Sequence, residues 1–306
     1  MTSPAIAAQN LSKHYNNKPA LDGVTIRVPQ GNIGLLGENG AGKTTFIKLS
    51  LGLLKPTSGS ASVLGFDVAQ KSVELRRFVG YMPEDDCLPP DMSALDFVVR
   101  MGCLSGLPRE AAAQRAYDVL YLAGLGEERY RQIGGYSVGM KQRVKLAQAL
   151  VHDPKLVLLD EPTSGLDPKG RDEMLDLIQA VRDKMGISLL LSTHLLLDVE
   201  RVCDYVVIIR AGKVISHGEL SQLLQGATQS ILIRVLGDEK KFIEEMQSKG
   251  LSITGENSEY QVAGAGEEIF DLVLKAASKT GVQLRRLEQQ SRSLEDYFAS
   301  LHHAKS

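Results

Sequence analysis

The chain has 306 residues, 43% of them hydrophobic and 24% charged, with a formal net charge of −2. That length supports one large core plus a small second domain, and the near-neutral charge excludes a global drive toward nucleic acid or anionic membrane. Cys87, Cys103 and Cys203 are scattered without C-x-x-C spacing, which argues for reduced cytosolic thiols and against a disulfide frame or a zinc site.

The opening MTSPAIAAQNLSKHY lacks the apolar core of a signal peptide. No apolar run approaches the roughly 20 residues that a membrane-spanning helix needs. The chain is therefore expected to be soluble, with any membrane role exerted through a partner. Residues 1–36 read as short strands with turns, among them AIAAQNLSKHY and LDGVTIRVP. From GNIGLLG onward, buried apolar strands (FVGYMPE, KLVLLDEP, ISLLLSTH) alternate with helices over TTFIKLSLGLL, the segment 139–151 and RDEMLDLIQAVRDKM. Continuous apolar strands separated by helices predict a parallel sheet covered on both faces. Between Pro90 and Gly135 the pattern is helical only (SALDFVVRMGCL, REAAAQRAYDVLYLAGL), a helical insertion on the α/β core. After Gly226 the character shifts again. SILIRVLG, a helix from Asp238, LSITGENSEYQVAG, a helix from Glu267, VQLRRLEQ and SLEDYFASLHH form a small α+β unit over 227–306. No motif in it carries chemistry; it reads as a regulatory accessory or as a dimer-stabilising appendage.

GENGAGKTT, residues 37–45, follows an apolar strand, precedes a helix and fits G-x-x-x-x-G-K-[ST]. Gly37, Gly40 and Gly42 let backbone N–H groups wrap phosphate oxygens without Cβ clashes. Lys43 supplies a point charge to the β- and γ-phosphates, and the Thr44 hydroxyl suits Mg²⁺. The loop by itself says that a nucleoside triphosphate binds. In GGYSVGMKQR, residues 134–143, Ser137 is a good N-cap, with Met140, Val144, Ala147 and Val151 at helical spacing behind it. Its small-residue opening puts N–H groups at the positive end of a helix dipole, which suits a second anion.

KLVLLDEP, residues 155–162, is a buried strand ending in two carboxylates, costly unless something charged sits there. Mg²⁺ supplies that charge for Asp160. Pro162 biases Glu161 toward an extended backbone, from which it reaches a water as general base. Read alone, the pair serves equally well as a helix cap. His194, after the strand ISLLLS, is placed to donate to a γ-phosphate, or is a satisfied loop residue. Tyr15 is placed to stack on adenine, although taken alone it reads better as core.

Together these motifs resemble the nucleotide-binding subunit of an ABC (ATP-binding cassette) transporter over roughly residues 4–225. GENGAGKTT resembles the Walker A loop, YSVGMKQR the signature motif and LVLLDE the Walker B strand. SGLD (Ser164–Asp167) resembles the D-loop, and His194 the switch histidine. The resemblance implies a P-loop cassette over residues 1–226, with a RecA-like parallel-sheet core, an antiparallel β subdomain and a helical subdomain at about 90–150. ATP and Mg²⁺ are the implied cofactors. ATP would be bound by Tyr15, Gly37, Asn39, Gly40, Ala41, Gly42, Lys43, Thr44 and Thr45, and Mg²⁺ by Thr44, Asp160 and Glu84, with Glu161, His194 and Lys43 in catalysis. In that family two cassettes pair head to tail, so Ser137 and Gly139 would meet the γ-phosphate of the partner's ATP. Two departures stand out. Val138 and Met140 replace the third and fifth residues of LSGGQ, and Glu84 stands where many members have glutamine. The wording of YSVGMKQR, Glu84 and the closing SLEDYFASL resembles exporter-type cassettes that partner a separate six-helix permease. The expected protein is thus a motor subunit, peripheral on the cytoplasmic membrane face, with a permease and a second ATP-binding subunit as partners. Two rivals are a soluble ABC-type ATPase acting on nucleic acid or ribosomes, and a non-catalytic ATP sensor. One cassette and no basic stripe disfavour the first, and no nucleic acid partner is expected. Asp160, Glu161 and His194 disfavour the second.

Overall fold

The N-terminal strands β1 (Ile6–Tyr15) and β2 (Lys18–Val28) pair antiparallel, and alternate burial along β2 puts Leu21, Val24, Ile26 and Val28 into the core. The computed structural model describes residues 3–16, 18–224, 229–256, 258–264, 269–290 and 293–303. It divides into two units, Met1–Leu220 and Ser221–Ser306. The expected boundary between 226 and 227 lies outside the described residues.

In the first unit β3 (Asn32–Leu36) leads into α1 (Lys43–Ser50), followed by β4 (Ser58–Val63), β5 (Phe66–Asp67), α2 (Val68–Leu75) and β6 (Val79–Met82). The helical insertion holds α3 (Ala94–Leu104), α4 (Arg109–Leu122) and two short 3-10 turns. Next come α5 (Val138–Leu150), β7 (Leu156–Asp160), α6 (Pro168–Met185), β8 (Ser188–Thr193), α7 (Leu196–Val202), β9 (Tyr205–Arg210) and β10 (Lys213–Glu219), and the short α8 (Leu220–Leu224) straddles the boundary between the units. Two sheets result, one four-stranded in the order β2-β1-β4-β5 and one six-stranded in the order β10-β9-β3-β8-β7-β6. The larger sheet is parallel except for β10, which turns back antiparallel on β9. Neither the β4–β5 pair nor this β9–β10 hairpin is among the strands expected from the sequence. β4, SGSASV, is made of small residues with little strand signal of their own and forms by pairing with β1.

β3 and β7 are buried at every position, as expected of central parallel strands with both faces covered. Asp167 caps α6 by accepting from the Gly170 N–H, Pro168 occupies its first turn and Gly186 ends it in the left-handed region. Cys87, Cys103 and Cys203 are free, and only Cys203 is buried. Among the described residues no helix is long and apolar enough to cross a membrane.

The second unit runs β11 (Gln229–Leu236), α9 (Glu239–Ser248), β12 (Ser252–Glu256), β13 (Glu259–Gly264), α10 (Ile269–Thr280), β14 (Gln283–Gln290) and α11 (Leu294–His303). Its sheet is antiparallel in the order β12-β13-β11-β14, and the β-α-β-β-α-β sequence is the ferredoxin-like arrangement. Phe242 and Met246 of α9 and Val273 and Ala276 of α10 share a core with Ile231, Ile233, Val235 and Val262 of the sheet. The helix expected from Glu267 is described from Ile269; Glu267 lies outside the described residues.

Candidate functional site

Strand register assembles the site. β3, β8, β7 and β6 are consecutive neighbours, with Leu36 opposite Thr193, Asp160 opposite Ser192 and Met82 opposite Leu159. The carboxyl ends of all four strands therefore emerge side by side, the usual crevice for a ligand in such sheets. From those ends depart the loop 37–42, Asp160–Glu161, His194 and the loop carrying Glu84, which lie far apart in sequence.

The first loop is shaped by its glycines. A Cβ on Gly37 would stand 2.4 Å from the Ile209 carbonyl oxygen. One on Gly42, where φ is +109°, would stand 2.4 Å from the Ala20 carbonyl oxygen. Glycine is required at both by close backbone approach, and at Gly42 by conformation as well. A cleft of about 410 Å³ opens above the loop, lined by Asn39, Gly40, Gly42, Lys43, Thr44, Thr45, Glu84 and Glu161 among others.

Lys43, only 6% exposed, donates to the Gly37 carbonyl at 2.6 Å and stands 3.1 Å from Glu161 Oε1. The other carboxylate oxygen of Glu161 accepts from His194 Nδ1 at 3.0 Å. Lys43, Glu161 and His194 thus form one chain of contacts. The expected extended backbone at Glu161 is corrected, because its φ is +48°, in the left-handed region. A turn overrides the bias from Pro162. The Glu161 N–H donates to the Ser192 carbonyl, and its own carbonyl accepts from Ser164 N–H, both at 3.0 Å. Side chains rarely adopt that backbone region, and such strain persists where surrounding contacts over-determine it, commonly at functional sites. The helix-cap alternative for the acid pair also falls, since the helix that follows is capped by Asp167.

Asp160 is fully buried, and no hydrogen bond of good geometry reaches either of its carboxylate oxygens among the described residues. Burial raises its pKa above the ordinary carboxylate range against the pull of the nearby Thr44 and Ser192 hydroxyls. Glu84 is also raised, by burial first and then by the charges of Asp160 and Glu161, with Lys43 opposing. Asp160, Glu161 and Glu84 lie close enough to act on one another, with Lys43 as the opposing charge, and a cluster of this kind favours a bound cation.

Tyr15 and the pair Ser137 and Gly139 are not among the residues that line this cleft. Tyr15 is 46% exposed at the end of β1 with Lys13 5.3 Å over its ring, so it is not the core residue that its local pattern suggests. Ser137 and Gly139 line a separate cleft with Val138, Leu166 and Asp167. Ser137 caps α5 as expected, accepting from the Met140 N–H at 3.3 Å.

One residue of the site has no local signal. Asp198, on the short helix α7 and fully buried, accepts from Thr163 at 2.8 Å, Thr193 at 3.4 Å and Arg171 Nε at 2.5 Å. It ties the segment after Glu161 to the strand end before His194, and only the summed topology reveals it. Asp198→Ala strands two buried hydroxyls and removes the partner of Arg171, which should cost about 3 kcal/mol of stability. Denaturant titration checks this, and a loss under ~0.5 kcal/mol would show that the network carries no such energy.

The family model described as "ABC transporter" matches residues 21–164. An uncharacterised ABC transporter ATP-binding protein of Bacillus subtilis, YxlF, is 38% identical, the match covering 98% of this chain and 100% of the relative. The Nod factor export ATP-binding protein I of Burkholderia lata is 33% identical, over 96% of this chain and 95% of the relative. Among solved structures, cbiO1 of Clostridium perfringens, part of the ABC transporter complex cbiONQ, superposes with a TM-score of 0.65 at 28% identity, covering 72% of this chain and 90% of that one.

Proposed function

Because this chain belongs to the ATP-binding subunits of ABC transporters, we propose that its ATP hydrolysis drives a separate multi-helix membrane permease in the direction of export. The observation that carries the reading is the Lys43–Glu161–His194 chain at the mouth of a glycine-shaped phosphate loop. The Burkholderia relative named for export supports the direction, and cbiO1, part of a transporter complex, supports a separate membrane partner. Near-full-length similarity to transporter subunits disfavours a role on nucleic acid or ribosomes. The chain would sit on the cytoplasmic membrane face through its permease.

In the proposed cycle ATP phosphates enter the loop from Gly37 through Thr45, with Asn39 and Ala41 contributing backbone, and Tyr15 stacks on the adenine. Thr44, Asp160 and Glu84 would hold a magnesium ion, a fit supported by the two buried oxygens of Asp160, which no hydrogen bond of good geometry reaches among the described residues. When bound, that ion supplies positive charge to the phosphate oxygens. Lys43 exchanges Glu161 for phosphate, a better match for its point charge, and this frees Glu161 to take the proton of the attacking water. His194 keeps the carboxylate oriented. A neutral ring that donates through Nδ1 offers an acceptor at Nε2, so donation to the γ-phosphate requires the imidazolium or a turned ring. Ser137 and Gly139 of a second subunit would close on the same phosphate from the positive end of α5.

The test is a tagged pull-down from solubilised membranes of the source cell, read by mass spectrometry, beside phosphate release by the purified chain. A multi-helix membrane protein in stoichiometric amount is expected. Recovery of soluble partners alone would overturn the permease reading, while phosphate release judges the ATPase independently.

A further inference from the structure

We propose that Lys145 is a positioning residue that fastens the loop carrying Glu84 to α5, the helix whose first turn presents Ser137 and Gly139. Lys145 lies mid-helix and is only 4% exposed. Its ammonium has no carboxylate at ion-pair distance among the described residues. Instead it donates to three consecutive backbone carbonyls, those of Pro83 and Glu84 at 2.9 Å and that of Asp85 at 3.4 Å. An ammonium has three N–H donors, so this set saturates it. A buried lysine is costly unless it is fully bonded, and here the loop supplies all of that compensation. Burial lowers its pKa, with the charges of Cys87, Asp86, Asp85 and Glu84 opposing.

The contact does not stand alone. Lys141, Lys145 and Gln148 follow one another along a single helix face. Lys141 reaches Asp86 at 3.1 Å, and Gln148 donates to the Tyr81 carbonyl at 2.6 Å. Three side chains of α5 thus stitch down the run from the end of β6 to Asp86. The neighbouring Gln142 donates to the Ser164 carbonyl at 3.1 Å, so the same helix also holds the loop after Glu161. The Glu84 carbonyl is bound by Lys145 while the residue also lines the phosphate cleft. Lys145 therefore fixes the backbone from which that carboxylate projects, and movement of Glu84 and movement of the Ser137 end of α5 become one movement.

This rests on the reading that Glu84 acts in the phosphate cleft, and the experiment separates the two. In the full chain, Lys145→Met keeps the apolar stem and removes the donors, and Lys145→Gln keeps two donors without the charge. ATP turnover across a magnesium titration and amide hydrogen exchange over residues 83–88 are measured for both, for Glu84→Ala and for Glu84→Ala/Lys145→Met. Displacing Glu84 should lower kcat about 10- to 100-fold in Lys145→Met, with a raised magnesium requirement. ATP affinity without magnesium should stay within about twofold, because Lys145 itself is not among the residues that line the phosphate cleft. Exchange over 83–88 should quicken without nucleotide. The double variant should lie within about twofold of Glu84→Ala, because the lysine acts through that residue. Multiplicative effects, or unchanged exchange over 83–88, would overturn the latch. Wild-type turnover in Glu84→Ala would overturn the reading of Glu84 instead, and the exchange data alone would then judge the latch. If Lys145→Met does not fold, Lys145→Gln carries the same comparisons.

Discussion

Replacing Glu161 by glutamine is expected to leave ATP binding intact while cutting steady-state turnover by about 10²- to 10⁴-fold, the range lost with a general base. The exchange is isosteric, so the strained turn at φ +48° and the surrounding hydrogen bonds need not move. What disappears is the capacity to accept a proton from water. The ion pair with Lys43 at 3.1 Å disappears too, which leaves Lys43 free for phosphate before ATP arrives. ATP should therefore bind at least as well as in the parent, and a closed pair of cassettes that cannot hydrolyse should accumulate as a larger species on gel filtration with Mg²⁺ and ATP. Phosphate release at the parental rate would remove Glu161 from the mechanism and leave its strained backbone unexplained.

Lys43→Ala should have two effects of different origin. ATP affinity should fall by about 10- to 100-fold, the worth of charge-assisted hydrogen bonds to phosphate. In the nucleotide-free protein the Glu161 carboxylate, 4% exposed, then keeps His194 as its one side-chain partner among the described residues. Removing one member of a buried pair leaves an uncompensated charge, and a loss of about 3 kcal/mol is expected. The double variant Lys43→Ala/Glu161→Gln should recover most of that stability and none of the affinity. Unfolding and ATP titration of the four proteins separate the effects. Equal stability in Lys43→Ala and the parent would mean that the pair observed here contributes nothing to the resting state.

Much of this was legible in the residues themselves, for a local reason. GENGAGKTT declares a phosphate loop because its glycines answer to backbone conformation and close approach, and the structure puts a φ of +109° at Gly42. Ser137 announces a helix start through a hydrogen bond spanning three residues, whereas the helix expected from Arg171 begins at Pro168, with Asp167 as its cap. β3 and β7 show as unbroken apolar runs because both faces are covered. Other features carry no local mark. β4 is strand because β1 and β5 lie beside it. The local pattern at Tyr15 is compatible with core, yet the residue stands exposed at a strand end.

The sequence by itself determined the phosphate-loop motif, the acid pair at the end of an apolar strand and the alternation of strands and helices around them, since each depends on neighbours a few positions away. Only the tertiary structure decided that β3, β8, β7 and β6 lie side by side, which brings Lys43, Glu161 and Glu84 to one cleft and His194 against Glu161. It also decided that Glu161 adopts a left-handed backbone against its proline, and that Lys145 and Asp198 are buried with their partners. Sheet order and the burial of a charge are set by contacts between residues tens to hundreds of positions apart, and no short stretch of chain encodes them.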